Sequence, residues 1–102
     1  MRRIKLTVAY DGTNYCGWQI QPNGITVEEV LNRALSRLTG EELRVTGASR
    51  TDAGVHARGN IAVFDTASTI PAERFAYAVN PLLPEDIAVV NSEEVPQDWH
   101  PR

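Results

Sequence analysis

The sequence predicts an α+β domain with the β-α-β-β-α-β order of ferredoxin-like sandwiches, in which one antiparallel sheet carries two helices on one face. Three observations lead to this prediction: an alternating apolar pattern near the amino terminus, a strongly periodic amphipathic stretch after it, and two further alternating stretches around a turn-prone segment. With 102 residues and 42% hydrophobic content, the chain has the size of one compact domain.

The first strand is predicted over residues 3–10, where Ile4, Leu6, Val8 and Tyr10 alternate with more polar residues. The basic residues of this stretch are most simply a solvated strand face, although they would also extend a track for RNA. Residues 11–24 contain three glycines, Pro22 and scattered aromatic residues, so they predict a long loop of the kind that often carries function.

The periodic stretch predicts the first helix. Thr26 and Glu29 have the spacing of a capping box, apolar residues then recur at helical intervals, and Gly40 supplies a stop. We expect the apolar side of this helix to pack on the sheet.

The remaining elements follow from shorter patterns. Residues 43–48 and 57–65 read as strands, a second helix begins at Pro71 and ends before Pro81, and residues 87–91 form a last strand. In this arrangement the sheet face opposite the helices is open for a partner or a substrate.

Composition excludes several classes of protein. The single cysteine, Cys16, cannot form an internal disulfide, and one cysteine with two distant histidines gives no zinc spacing. No stretch has the pattern of a signal peptide or the apolar length of a membrane span, so we expect a soluble, cytoplasmic protein without a membrane partner. The formal net charge of -3 does not favour binding to a polyanion, so any contact with RNA must be local.

The segment between the two middle strands concentrates polar side chains. Asp52, followed two places later by a glycine, is by itself ordinary turn chemistry. However, Arg50, Thr51, Asp52, His56 and Arg58 fall within nine residues. Because a nearby arginine lowers the pKa of a carboxyl group, we expect Asp52 to be ionised at neutral pH and to serve as a nucleophile or a base.

Three segments, in order, resemble the tRNA pseudouridine synthase A family. Residues 47–59, GASRTDAGVHARG, contain the family's RTDAGVHA active-site pattern, and residues 10–22, YDGTNYCGWQIQP, are similar to its YDG-x-x-Y-x-GWQ-x-Q signature. Residues 80–89, NPLLPEDIAV, resemble its N-x-x-LP-x-DI-x-V run, and residues 98–102, DWHPR, its D-F-H-x-R run. Together these motifs span most of the chain.

This resemblance implies isomerisation of uridine to pseudouridine at positions 38 to 40 of the tRNA anticodon stem-loop, without cofactor or metal. It makes Asp52 the catalytic nucleophile. Arg50 would fill the space left by the flipped base and hold Asp52 in position. Thr51, His56 and Arg58 would contact the RNA, the last two at phosphate or ribose.

The resemblance also implies that residues 1–102 are the amino-terminal domain of a longer, two-domain synthase. Family members are more than twice this length and form homodimers, and their carboxyl-terminal domain contributes a tyrosine that stacks on the target base. The present chain would therefore hold the nucleophile in an incomplete site. One departure from the family pattern is Ser49, which stands where glycine is frequent.

Two non-catalytic alternatives have the same predicted fold. An RNA-recognition module would need stacking aromatics on its third strand, but Asn60, Ala62 and Asp65 occupy those places and Phe64 would point to the opposite face. A ferredoxin-like regulatory module fits the size and charge, but it does not explain the polar residues around Asp52. Among the loop aromatics, we expect Trp18 to pack on the sheet and not on RNA.

Overall fold

The computed structural model describes residues 1–18, 24–47 and 57–101, with the backbone alone of residues 57 and 58. Its strands and helices are β1 (Arg2–Tyr10), α1 (Val27–Thr39), β2 (Thr46–Gly47), β3 (Ala57–Thr66), α2 (Phe75–Val79) and β4 (Ile87–Val95). The strand order is β2-β3-β1-β4, and all neighbours pair antiparallel. The predicted ferredoxin-like α+β arrangement is confirmed.

The alternation in the central strands sends one set of side chains to the helices. Ile4 lies opposite Phe64 and Leu6 opposite Ala62, so apolar residues of β1 and β3 share one face of the sheet. These four side chains join buried residues of both helices in one core cluster, which includes Leu31, Leu35, Phe75 and Val79. This cluster fixes the helices on that face.

Helix α1 has the ends that its sequence predicts. The Thr26 hydroxyl accepts a hydrogen bond from the Glu29 amide at 3.3 Å. Gly40 follows the last turn with φ of 77°, a left-handed conformation that glycine adopts without a Cβ penalty. Both predicted boundaries are therefore confirmed by capping geometry.

The strand predicted over residues 43–48 is too long. Only Thr46 and Gly47 pair with β3 in the described part, and residue 48 lies outside the described residues. The amides of the preceding residues bond to helix side chains instead: Leu43 donates to Ser36 Oγ at 2.9 Å and Val45 to Asn32 Oδ1 at 2.9 Å. The side-chain oxygens of Ser36 and Asn32 therefore accept the hydrogen bonds that a neighbouring strand would otherwise accept.

The second helical region is broken into three short pieces. A 3-10 turn (Ala72–Arg74) precedes α2, and another (Asn80–Leu82) follows it and contains Pro81. Helix α2 ends at Val79, before Pro81, as predicted, but the α-helix begins only at Phe75 and the predicted start at Pro71 leads into a 3-10 turn. Pro81 lies in the 3-10 turn that follows α2, because the first positions of a helical turn need no amide donor.

Strand β4 runs four residues beyond its predicted end at residue 91, as far as Val95. Its second half is polar, and ion pairs with β1 join it to the sheet: Lys5 Nζ lies 2.9 Å from Glu93 Oε1 and Arg2 3.8 Å from Glu94. The pairing of β4 with β1 also shifts its register between Thr7 and Val8. This irregularity interrupts the alternation of buried and exposed residues along β4 from which a strand is predicted.

The sheet face opposite the helices, here called the open face, displays Arg3, Lys5 and Thr7 of β1 beside the odd-numbered residues of β3. The prediction that this face is open is only partly right. The main-chain carbonyl of Trp99 accepts a hydrogen bond from Arg3 at 2.6 Å, and Lys5 Nζ lies 5.5 Å from the centre of the Trp99 ring. The segment after β4 therefore covers the half of this face near the start of β1.

Neither described helix has the length and apolarity that crossing a bilayer requires.

Glu41 connects the end of α1 to the end of β3. Its carboxylate accepts hydrogen bonds from the Thr66 hydroxyl and, at 2.8 Å, from the Ala67 amide. These two bonds, the hydroxyl first, lower the pKa of Glu41 below its ordinary value. Because the folded state favours the ionised form, this stabilisation is complete above the unfolded-state pKa of about 4.3 and is lost as the pH falls through the lowered folded-state value.

We expect Glu41→Gln to lower the free energy of unfolding by about 1 kcal/mol at pH 7, since the carboxylate is part-exposed. The difference from the unaltered protein should shrink between pH 4 and pH 2.5, because the native carboxylate then becomes neutral as well. Urea unfolding at the two pH extremes measures this. Glu42→Gln removes the same charge from the neighbouring exposed residue and is the matched control; an equal effect of both variants would contradict the role of Glu41.

Candidate active site

The candidate site lies where β1 and β2 end and β3 and β4 begin. Tyr10, at the end of β1, is paired with Ala57 on one side and Ile87 on the other. Residues 48–56 connect β2 to β3 at this place. Predicted site residues Arg50, Thr51, Asp52 and His56 lie outside the described residues, as does the side chain of Arg58. What the structure provides is the two ends of this segment and the groups that support them.

The Trp18 side chain supports the end of β2. It is 2% exposed, its ring lies 5.9 Å from that of Tyr10, and the backbone of Gly47 lies directly against the indole. A Cβ added at Gly47 would come within 2.4 Å of Trp18 Nε1. Trp18 thus packs within the protein, as predicted, and Gly47 is required by close packing immediately before the segment that contains Asp52.

The loop that contains Trp18 is bonded to the start of α1. The amides of Val27 and Glu28 donate to the carbonyls of Gly17 and Trp18 at 3.1 and 3.0 Å. The first amides of a helix have no partner within the helix, so these bonds satisfy them and fix the loop. The same helix that packs on the sheet therefore determines the position of Trp18.

A second group of contacts fixes the loop at the start of β4. The Tyr15 hydroxyl donates to Asp86 Oδ1 at 2.5 Å, and the Asp11 amide donates to the Asp86 carbonyl at 2.9 Å. Burial, and then the Asp86 carboxylate, raise the pKa of Tyr15, so its phenol remains a neutral donor. Sequence reasoning missed this pair because nothing in either local pattern links residues that are 71 positions apart.

The open face does not have the base-stacking surface of an RNA-recognition module. Phe64 is 3% exposed and packs edge to face against Phe75, with ring centres 5.4 Å apart, on the helix side of the sheet. From Gly59 to Asp65, the residues of β3 that share the open face carry no aromatic ring. The prediction that Phe64 points to the opposite face from Asn60, Ala62 and Asp65 is right only for Asp65. Asn60 and Ala62 lie opposite the buried Val8 and Leu6 and share the helix side of the sheet with Phe64, because side chains two residues apart in a strand point the same way.

The basic residues at the start of β1 are engaged in ion pairs. Arg3 contacts both carboxylate oxygens of Asp65, at 2.9 and 3.1 Å, and this hydrogen bonding lowers the pKa of Asp65. Lys5 is paired with Glu93. These cations therefore hold the sheet and the following segment together, and they do not form a free basic track.

A groove of about 780 Å³ lies between α2 and β4 and is lined in part by Tyr77 and Val90, which are both exposed. It is larger than the cavity of about 100 Å³ that Thr46 of β2 lines. However, β4 and β2 form opposite edges of the sheet, with β1 and β3 between them. We therefore do not assign this groove to the site that includes residues 48–56.

Gly47→Ala should destabilise the protein by about 1–3 kcal/mol, because the added methyl group must displace a buried indole ring. Tryptophan fluorescence during urea unfolding would report both the loss of stability and the displaced indole. Gly59→Ala is the matched control, since its Cβ would meet only Thr7 Cγ2 at an ordinary 3.5 Å. Equal stability of the Gly47 and Gly59 variants would refute the packing argument.

Comparisons with known proteins agree with the motifs. The sequence profile of a family described as tRNA pseudouridine synthase matches residues 6–102. The chain is 61% identical over 102 residues to a protein of Ruminiclostridium cellulolyticum named tRNA pseudouridine synthase A, and 56% identical to one of the same name from Citrifermentans bemidjiense. In both cases all of the chain is aligned, and it spans 42% and 41% of the respective relative. The chain, with its ferredoxin-like sheet and its RTDAGVHA segment between β2 and β3, belongs to the tRNA pseudouridine synthase family.

Proposed function

We propose that this chain is the amino-terminal, Asp52-bearing domain of an enzyme that isomerises uridine to pseudouridine in the anticodon stem-loop of tRNA. The observation that carries the proposal is the RTDAGVHA sequence at residues 50–57, within a family match that covers residues 6–102. The position of this sequence between two paired strands supports it, because functional side chains are frequently displayed on connections held by a rigid sheet.

Asp52 is the proposed nucleophile. The reaction breaks the bond between ribose C1′ and uracil N1, rotates the base, and forms a bond from C1′ to C5. C5 loses a proton and N1 gains one, so the isomerisation has no net consumption of any co-reactant. A carboxylate is suited to attack at C1′ or C6, or to removal of a sugar proton, in the alternative sequences of steps.

Arg50 is the proposed positioning residue for Asp52, and its side chain would occupy the stack after the uridine leaves it. Thr51, His56 and Arg58 are proposed contacts to phosphate or ribose, which orient the RNA without reading its sequence. Support for a fixed site comes from the described flanks, where Trp18 packs against Gly47 and Tyr10 pairs with Ala57.

The proposed enzyme includes a further domain. The chain spans about two fifths of the relatives it matches, at 42% of the first. We propose that the remaining part of the polypeptide forms a second α/β domain that closes over the flipped base, and that the complete enzyme is a cytoplasmic homodimer. No cofactor or metal is required by the proposed chemistry.

In the complete polypeptide, Asp52→Asn should reduce pseudouridine formation by more than about a thousandfold, because it removes the nucleophile and keeps the shape of the side chain. Tritium release from tRNA labelled at uridine C5 measures the reaction, and filter binding measures affinity for tRNA, which we expect to stay within about threefold. Glu42→Gln is the control for loss of a single carboxylate. Turnover retained by the Asp52 variant would refute its assignment.

The 102-residue chain by itself should fold but release little or no tritium from the same substrate, since the proposed stacking tyrosine belongs to the other domain. Circular dichroism and a cooperative urea transition would establish folding. Substantial release by the isolated chain would show that the second domain is dispensable for the reaction.

A further inference from the structure

The open face contains a small polar cavity near β2 that the proposed reaction does not use. Its volume is about 100 Å³, and Arg44, Thr46, His100, Arg3 and Asp65 are among the residues that line it. Arg44 and Thr46 come from β2 and the residues before it, whereas His100 comes from the segment after β4. With Arg3 of β1 and Asp65 of β3, four separate parts of the chain therefore meet around it.

Among the described residues that line this cavity, two arginines accompany one carboxylate. Asp65 is the carboxylate that lines it, and both of its oxygens are already bonded to Arg3, at 2.9 and 3.1 Å. Arg44 is exposed, and within residues 1–18, 24–47 and 57–101 its guanidinium group forms no ion pair. The cavity therefore offers a cation whose hydrogen-bonding capacity is available to a ligand.

His100 is held at the cavity by its neighbour. The Trp99 carbonyl accepts a hydrogen bond from Arg3, and the Trp99 ring lies beside Lys5 Nζ. The cations of β1 are thus used to position the segment after β4, and this leaves Arg44 for contact with another molecule. Thr46 adds an exposed hydroxyl that can donate a hydrogen bond.

We propose that Arg44, Thr46 and His100 form a binding site for a phosphodiester group of the RNA backbone. Arginine, a hydroxyl and an imidazole are suitable donors for the oxygens of one phosphate. Thr46 precedes Asp52 by six residues, and a chain of this length spans at most about 20 Å when fully extended. The site therefore lies no farther than this from the proposed nucleophile. The inference rests on the proposed function, and it assigns an anchoring point for the RNA outside the catalytic segment.

The test is the salt dependence of tRNA affinity in the complete polypeptide. Arg44→Gln should weaken binding about fivefold at moderate salt and reduce the slope of log affinity against log salt concentration by about 1, because one phosphate contact is lost. The loss should be the same for tRNAs of different anticodon-stem sequence, since a phosphate contact carries no sequence information. Arg44→Lys keeps the charge and should restore most of the affinity and of the slope.

Arg37→Gln is the matched control, because Arg37 is an exposed arginine in the last turn of α1, in the helical layer. It should leave both the affinity and the slope unchanged. Thr46→Val, which removes the hydroxyl at constant size, should weaken binding about twofold without changing the slope.

Three results would overturn the inference. The first is a salt-dependence slope of Arg44→Gln that equals the slope of the unaltered protein. The second is a loss of tRNA affinity in Arg37→Gln that equals the loss in Arg44→Gln. The third is a loss of affinity accompanied by a lowered melting temperature, which would place Arg44 in a contact within the protein. Failure of the proposed function is distinguishable, because the unaltered polypeptide would then neither bind tRNA nor form pseudouridine.

Discussion

The close contact between the Trp18 indole and the Gly47 backbone is the constraint on which the rest of the candidate site depends. It requires a glycine at the end of β2, because any Cβ there would overlap the ring. It also ties the long loop after β1 to the segment that contains Asp52. The carbonyls of Gly17 and Trp18 bond to the first turn of α1, so the helix, the loop and the end of β2 form one unit. A displacement of any one of them would therefore move Gly47, the residue from which the segment 48–56 continues.

Elements with their own periodicity could be predicted from the sequence, and elements defined by distant partners could not. β1, α1 and β3 are recognisable because burial of one face imposes an alternating or helical pattern on consecutive residues. The shortness of β2 was not predictable, since Leu43 and Val45 bond to side chains of α1 that no local pattern identifies. The Tyr15–Asp86 bond, the extension of β4 and the cover over the open face likewise arise from pairings between residues far apart in the chain.

The charge distribution is compatible with an acidic chain that acts on RNA, as proposed. The net charge of -3 argues against binding through a general electrostatic field. The cations at the start of β1 are neutralised by Asp65 and Glu93, which makes them structural. The cations proposed to contact RNA are few and separate: Arg44 on the open face, and Arg50 and Arg58 in the segment that contains Asp52. Such an arrangement favours defined contact points on a particular RNA shape over non-specific attraction to any polyanion.

The contacts between Trp99 and β1 do not require a tryptophan at this position. One of its two contacts with β1 uses the main-chain carbonyl, which every residue possesses, and the other uses only the face of an aromatic ring. Tryptophan gives the strongest attraction for the ammonium group of Lys5, but a phenylalanine ring offers the same kind of surface. A phenylalanine at position 99 would keep both the carbonyl that accepts from Arg3 and a ring face for Lys5.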